Sequence, residues 1–71
     1  MSYEKNVWTT DTAYTVNKLV SHNGYVYKCL TAGTATVAPT NTTISNDETG
    51  ADGVKWVCVS KLATFVNLTV A

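Results

Sequence analysis

The dipeptide Asn23-Gly24 constrains this chain more than any other feature. Both residues tolerate positive φ, which a type I′ turn demands at its two central positions. The flanking segments "NKLVSH" and "YVYKCL" read as short strands, so the pair predicts a β-hairpin. A two-residue loop fixes the register by arithmetic. His22 faces Tyr25, Val20 faces Tyr27 and Lys18 faces Cys29, which makes this side of the ribbon the more aromatic. The opposite side then carries Leu19, Ser21, Val26, Lys28 and Leu30.

A third strand is expected at "GVKWVCVSK", with Val54, Trp56 and Cys58 on one face and Lys55, Val57 and Val59 on the other. Asp52-Gly53 is the turn signal before it. Composition agrees, because Thr and Val abound, Tyr and Trp recur, and good helix formers are sparse. Between the hairpin and this strand lies a long connection, Thr31 to Gly53. A segment of that length in a compact domain is expected to be ordered by contacts or to serve a purpose. The closing stretch "LATFVNLTVA" alternates Phe65, Asn67 and Thr69 with Val66, Leu68 and Val70, the pattern of a strand in want of a partner. The expected fold is therefore all-β, a small antiparallel sheet of three to four short strands with one long ordered loop. Its division is an N-terminal arm over 1–7, a compact module over 8–60 and a C-terminal arm or docking strand over 61–71.

With 71 residues the chain has room for one domain of limited core. Its formal charge is zero, its five cations are all lysines, and no basic face is on offer for phosphates, so nucleic acid is not an expected partner. No segment reads as a signal peptide or a membrane span, and the protein is expected to stay in the compartment where it is made. On that expectation the sequons Asn41-Thr42-Thr43 and Asn67-Leu68-Thr69 read as chance in a Thr-rich chain. One His, five carboxylates and no nucleophile motif give no basis for catalysis. His22, Cys29 and Cys58 are too few and too irregularly spaced for a closed zinc site. Asp47, Glu48 and Asp52 in "NDETGADG" supply hard oxygens without the spacing of an EF-hand, so they read as a solvated turn. No metal or other cofactor is expected. Cys29 and Cys58 are expected to face one interior, as buried thiols first and a mutual disulfide second.

Trp8, Tyr14, Val20, Asn23-Gly24, Tyr27, Cys29, Gly33, Pro39, Asp52-Gly53 and Trp56 follow one another in an ordered pattern over Trp8 to Val59. That pattern resembles a small β module of tailed-phage and prophage structural proteins. It is similar, more loosely, to the type-3 chitin-binding module of bacterial chitinases. The resemblance implies a compact antiparallel fold with long loops, and either a virion component or a sugar binder. Chitin-binding relatives usually display two adjacent exposed aromatics, whereas "TAGTATVAPTNTTIS" after the hairpin carries none.

A domain this small has few large residues from which to build a core, so Trp8, Tyr27 and Trp56 are assigned to the interior. Tyr14 and Tyr25 are the candidates for glycan contact. The leading expectation is a non-enzymatic virion protein, a capsid decoration or cement protein and a homo-oligomer, that docks on the major capsid protein or other virion subunits. Its docking arms would be the N-terminal segment with Tyr3 and the C-terminal residues Phe65, Val66, Leu68 and Val70. The alternative is a carbohydrate-binding adhesion module of a phage tail or head fibre.

Overall fold

A computed structural model describes residues 7–63. The fold is all-β. Its six strands are β1 (Thr12–Tyr14), β2 (Leu19–His22), β3 (Tyr25–Thr31), β4 (Gly33–Ala35), β5 (Asp47–Thr49) and β6 (Lys55–Lys61). They form a four-stranded sheet in the order β2-β3-β6-β5 and a two-stranded sheet of β1 and β4. Every pairing between them is antiparallel.

The hairpin is built as its turn dipeptide requires. Asn23 has φ 54° and Gly24 φ 86°, the signature of a type I′ connection. The register follows: Val20 opposite Tyr27, His22 opposite Tyr25, Leu19 opposite Lys28 and Ser21 opposite Val26. Beyond Leu19 the ladder becomes irregular, with two residues against one. The Cys29 N–H donates to the Lys18 carbonyl at 2.9 Å, and the Cys29 carbonyl accepts from the Asn17 N–H at 2.8 Å.

Strand β6 is central, flanked by β3 and β5. Two irregularities interrupt its pairing with β3, between Val26 and Tyr27 and between Cys29 and Thr31. Each adds one unmatched residue, Val59 on β6 and Leu30 on β3, a device that sharpens local twist. Between them the ladder is regular, with Tyr27 opposite Cys58 and Cys29 opposite Trp56.

The first face of this sheet makes the core. Val20, Tyr27, Cys29, Val54, Trp56 and Cys58 are buried there, and Tyr14 of β1 and Ala35 of β4 close over them. Gly33 allows that close approach, since a Cβ at this position would lie 3.1 Å from Val54 Cγ2. The paired strands β1 and β4 thus act as a lid. Sequence periodicity missed both because three-residue strands are too short to show alternation.

The long connection is ordered, and its acidic residues are what order it. The Asp52 carboxylate accepts from the backbone N–H groups of Thr36 (2.8 Å), Val37 (3.0 Å) and Val54 (2.9 Å). Burial works against ionisation of Asp52, but these N–H donors outweigh it and hold the carboxyl below its ordinary value. Glu48 accepts from the Thr40 N–H at 2.8 Å, from the Thr40 hydroxyl at 3.1 Å and from the Asn41 N–H. Asp47 pairs with Lys55 at 3.2 Å. The three carboxylates expected to form a solvated turn therefore fasten loop backbone or pair with a lysine. Among the described residues no cluster of His, Cys, Asp or Glu is arranged to hold a metal ion, and no helix is long and apolar enough to cross a membrane.

Candidate functional site

The described aromatic residues fall into two groups. Tyr27 and Trp56 are each 1 % exposed and Tyr14 is 6 % exposed, whereas Trp8 and Tyr25 are half-buried and pack against the core from outside. Tyr14, expected at the surface, lies inside. Its ring meets Trp56 edge-on at 5.2 Å between centroids. Its hydroxyl accepts from the Thr9 N–H at 2.9 Å. The reason is the β1–β4 pairing, which turns Tyr14 down onto the sheet. Trp8, expected in the interior, is instead at the rim.

Trp8 reaches that position along the free edge of β2. Val7 forms a parallel bridge with Ser21, and the Trp8 N–H donates to the Ser21 carbonyl at 2.8 Å. The Trp8 indole then meets the His22 ring edge-on, 5.6 Å between centroids with an interplanar angle of 64°. His22 is the cross-strand partner of Tyr25. Trp8, His22 and Tyr25 thus form one continuous rim at the hairpin end of the core, and all three are half-buried. Lys61, opposite Tyr25 on β6, is exposed beside it.

The orientation of the indole matters. Trp8 is partly exposed, yet its Nε1 is buried without a hydrogen-bond partner. What Trp8 shows to solvent is therefore ring carbon. Such a surface stacks on the C–H face of a pyranose, while the imidazole beside it can donate or accept toward a sugar hydroxyl. No part of the rim offers a nucleophile with an adjacent base or a pair of carboxylates.

Both cysteines are buried free thiols. They sit on the same face but at diagonal positions, Cys29 opposite Trp56 and Cys58 opposite Tyr27. Diagonal neighbours in an antiparallel pair lie about 7–8 Å apart, beyond the 3.5–4.5 Å that a disulfide requires between Cβ atoms. Burial pushes both thiols above their ordinary pKa. Cys29 also donates to the Thr31 carbonyl at 3.3 Å. Of the two sequons, Asn41 is engaged in structure, its Nδ2 donating to the carbonyls of Thr43 (3.2 Å) and Asn46 (2.7 Å). The expected docking residues Tyr3, Phe65, Val66, Leu68 and Val70 lie outside the described residues, as does Asn67.

The all-β domain thus carries a compact rim of Trp8, His22 and Tyr25 at the hairpin end of its core. The family model for carbohydrate-binding module family 5/12 matches residues 7–56, and the chain belongs to that family. The matched span runs from the Val7 bridge to Trp56, and so contains both the rim and most of the core beneath it. No curated protein and no solved structure matches the chain.

Proposed function

We propose that this chain is a non-catalytic carbohydrate-binding module whose ligand contacts are Trp8, His22 and Tyr25. The observation that carries the reading is the sorting of rings. Tyr14, Tyr27 and Trp56 are committed to the core, while Trp8 and Tyr25 keep part of their surface in solvent on either side of His22. The membership of residues 7–56 in a carbohydrate-binding family supports it.

The geometry also bears on the kind of ligand. Two adjacent exposed aromatics suit a flat crystalline polysaccharide, and the segment after the hairpin, Thr31 to Ser45, has no aromatic residue. The rim is short, made of Trp8, His22 and Tyr25, so it suits one or two sugar rings of a soluble glycan or a chain end. A single module would bind weakly, and useful retention would come from many copies. The sequence resemblance to tailed-phage modules supports a virion setting for such copies, as an adhesion module of a tail or head fibre. The capsid-decoration reading shares that setting but assigns attachment to the two ends of the chain.

A glycan array with a parallel chitin pull-down tests the proposal. Retention on soluble oligosaccharide that falls at least tenfold in Tyr25→Ala and His22→Ala, with unchanged thermal unfolding, is the expected result. Undiminished retention by Tyr25→Ala, or none by the parent at any ligand, sinks the assignment. The virion setting is tested separately by whether purified particles contain the chain.

A further inference from the structure

The row that forms the rim does not end at Tyr25. It continues one strand further, onto β6, where Lys61 stands opposite Tyr25. Residues directly opposite in an antiparallel pair project from the same face, with Cβ atoms about 4.5–5.5 Å apart. The end of β6 is held against the hairpin turn, because the Leu62 N–H donates to the Gly24 carbonyl at 2.9 Å. Lys61 is exposed and Tyr25 half-buried, so a cationic side chain stands beside a ring that is itself partly open to solvent.

The other described charges are placed elsewhere. Lys18 precedes β2 at the end away from the turn, and Lys28 shares the second face of the sheet with Leu19 and Val57. Lys55 pairs with Asp47 at 3.2 Å. Glu48 and Asp52 accept N–H groups of the long connection. Asp11 lies in the turn before β1, where its N–H donates to the Ala35 carbonyl at 2.6 Å. Among the described residues, the row Trp8, His22, Tyr25 and Lys61 therefore holds one permanent charge, and it is positive.

We propose that this rim selects sugars bearing a carboxylate, uronic or sialic acids, over neutral sugars of the same size, and that Lys61 decides the preference. The inference rests on the reading of Trp8, His22 and Tyr25 as glycan contacts. A pyranose stacked on Tyr25 presents its edge substituents toward the neighbouring strands, and the four-carbon stem of Lys61 carries its Nζ to that edge. A carboxylate there receives a charge-assisted hydrogen bond, whereas a hydroxyl receives a weaker one. The lysine head is a point charge without the fixed fork of an arginine, so charge rather than planar geometry sets the selection.

NMR titration at pH 7 with two matched pairs tests the proposal: trigalacturonate against its methyl ester, and sialyllactose against lactose. At about 20 mM salt the acidic member of at least one pair should bind about threefold more tightly than its neutral counterpart, and the pair that shows this identifies the source of the carboxylate. Lys61→Gln should bring that ratio to about one, Lys61→Arg should preserve it, and about 0.5 M salt should shrink it. Thermal unfolding of both variants should match the parent, because Lys61 is exposed at a strand end. Equal binding of acidic and neutral members by the parent, or a preference that survives Lys61→Gln, overturns the inference and leaves the glycan-binding reading in place. Binding of neither member of either pair overturns both.

Discussion

Replacing Asp52 with asparagine should loosen the clasp that holds the β4 side of the long connection over the core. One carboxylate oxygen, Oδ2, takes the Thr36 and Val37 N–H groups, and the other, Oδ1, takes that of Val54. An amide has a single acceptor oxygen. Whichever way the substituted side chain turned, its NH2 would face at least one backbone donor. At least one charge-assisted bond is lost, worth about 1.5–3 kcal/mol, and the bonds that remain lose their charge. Because these groups are partly exposed, water replaces part of the loss, and a net cost of about 2 kcal/mol is expected. For a domain of this size that lowers Tm by roughly 8–16 °C. The pH dependence supplies an internal control. The folded-state pKa of Asp52 is depressed, so its contribution is complete above the unfolded carboxylate pKa near 3.9 and disappears as pH falls through the lower folded value. Thermal unfolding followed by circular dichroism from pH 7 to pH 2 should show the parent and Asp52→Asn converging below pH ~4. A constant gap across that range, or no gap at pH 7, refutes the clasp.

Tyr27→Phe should cost about 1 kcal/mol, because the hydroxyl donates to the Asn41 carbonyl at 2.7 Å, and equilibrium denaturation measures it. Burial first, then the negative fields of Cys58, Glu48 and Tyr25, push the Tyr27 pKa up to about 12. Its contribution is therefore intact below pH ~10 and lost as pH rises through 12, so alkaline unfolding in that window should be weaker in Tyr27→Phe. The thiols of Cys29 and Cys58 should resist a chromogenic disulfide reagent at about pH 8 and react together only on unfolding; rapid reaction of the native protein would contradict their burial. Gly33→Ala forces a methyl to within 3.1 Å of the buried Val54 side chain, and overpacking of about 1–3 kcal/mol should appear as a lowered denaturation midpoint.

Legibility followed the range of the interaction. The hairpin was readable because Asn23 and Gly24 impose their own φ, and β6 because Trp56 and Cys58 alternate with Lys55 and Val57 over a full strand. Strands β1, β4 and β5 are three residues each and exist through their partners, so no local pattern announced them. The same limit explains the tyrosines. Tyr14 and Tyr25 look alike as residues, and only the β1–β4 pairing sends one beneath the lid and leaves the other at the rim. Trp8 could not be placed from sequence because its position depends on a parallel bridge to β2. The acidic loop was misjudged for a related reason: a carboxylate that braces backbone fifteen or sixteen residues away has no local spacing rule.

From the order of residues alone came the all-β class, the hairpin with its register, the face shared by Val54, Trp56 and Cys58, and a resemblance that included sugar-binding modules. Turn dihedrals and side-chain alternation are properties of neighbours along the chain, so they need no fold to be stated. Which rings meet solvent and which carboxylates carry loops were settled in three dimensions. Exposure is a property of what lies above a side chain, and here that cover arrives from strands distant in sequence.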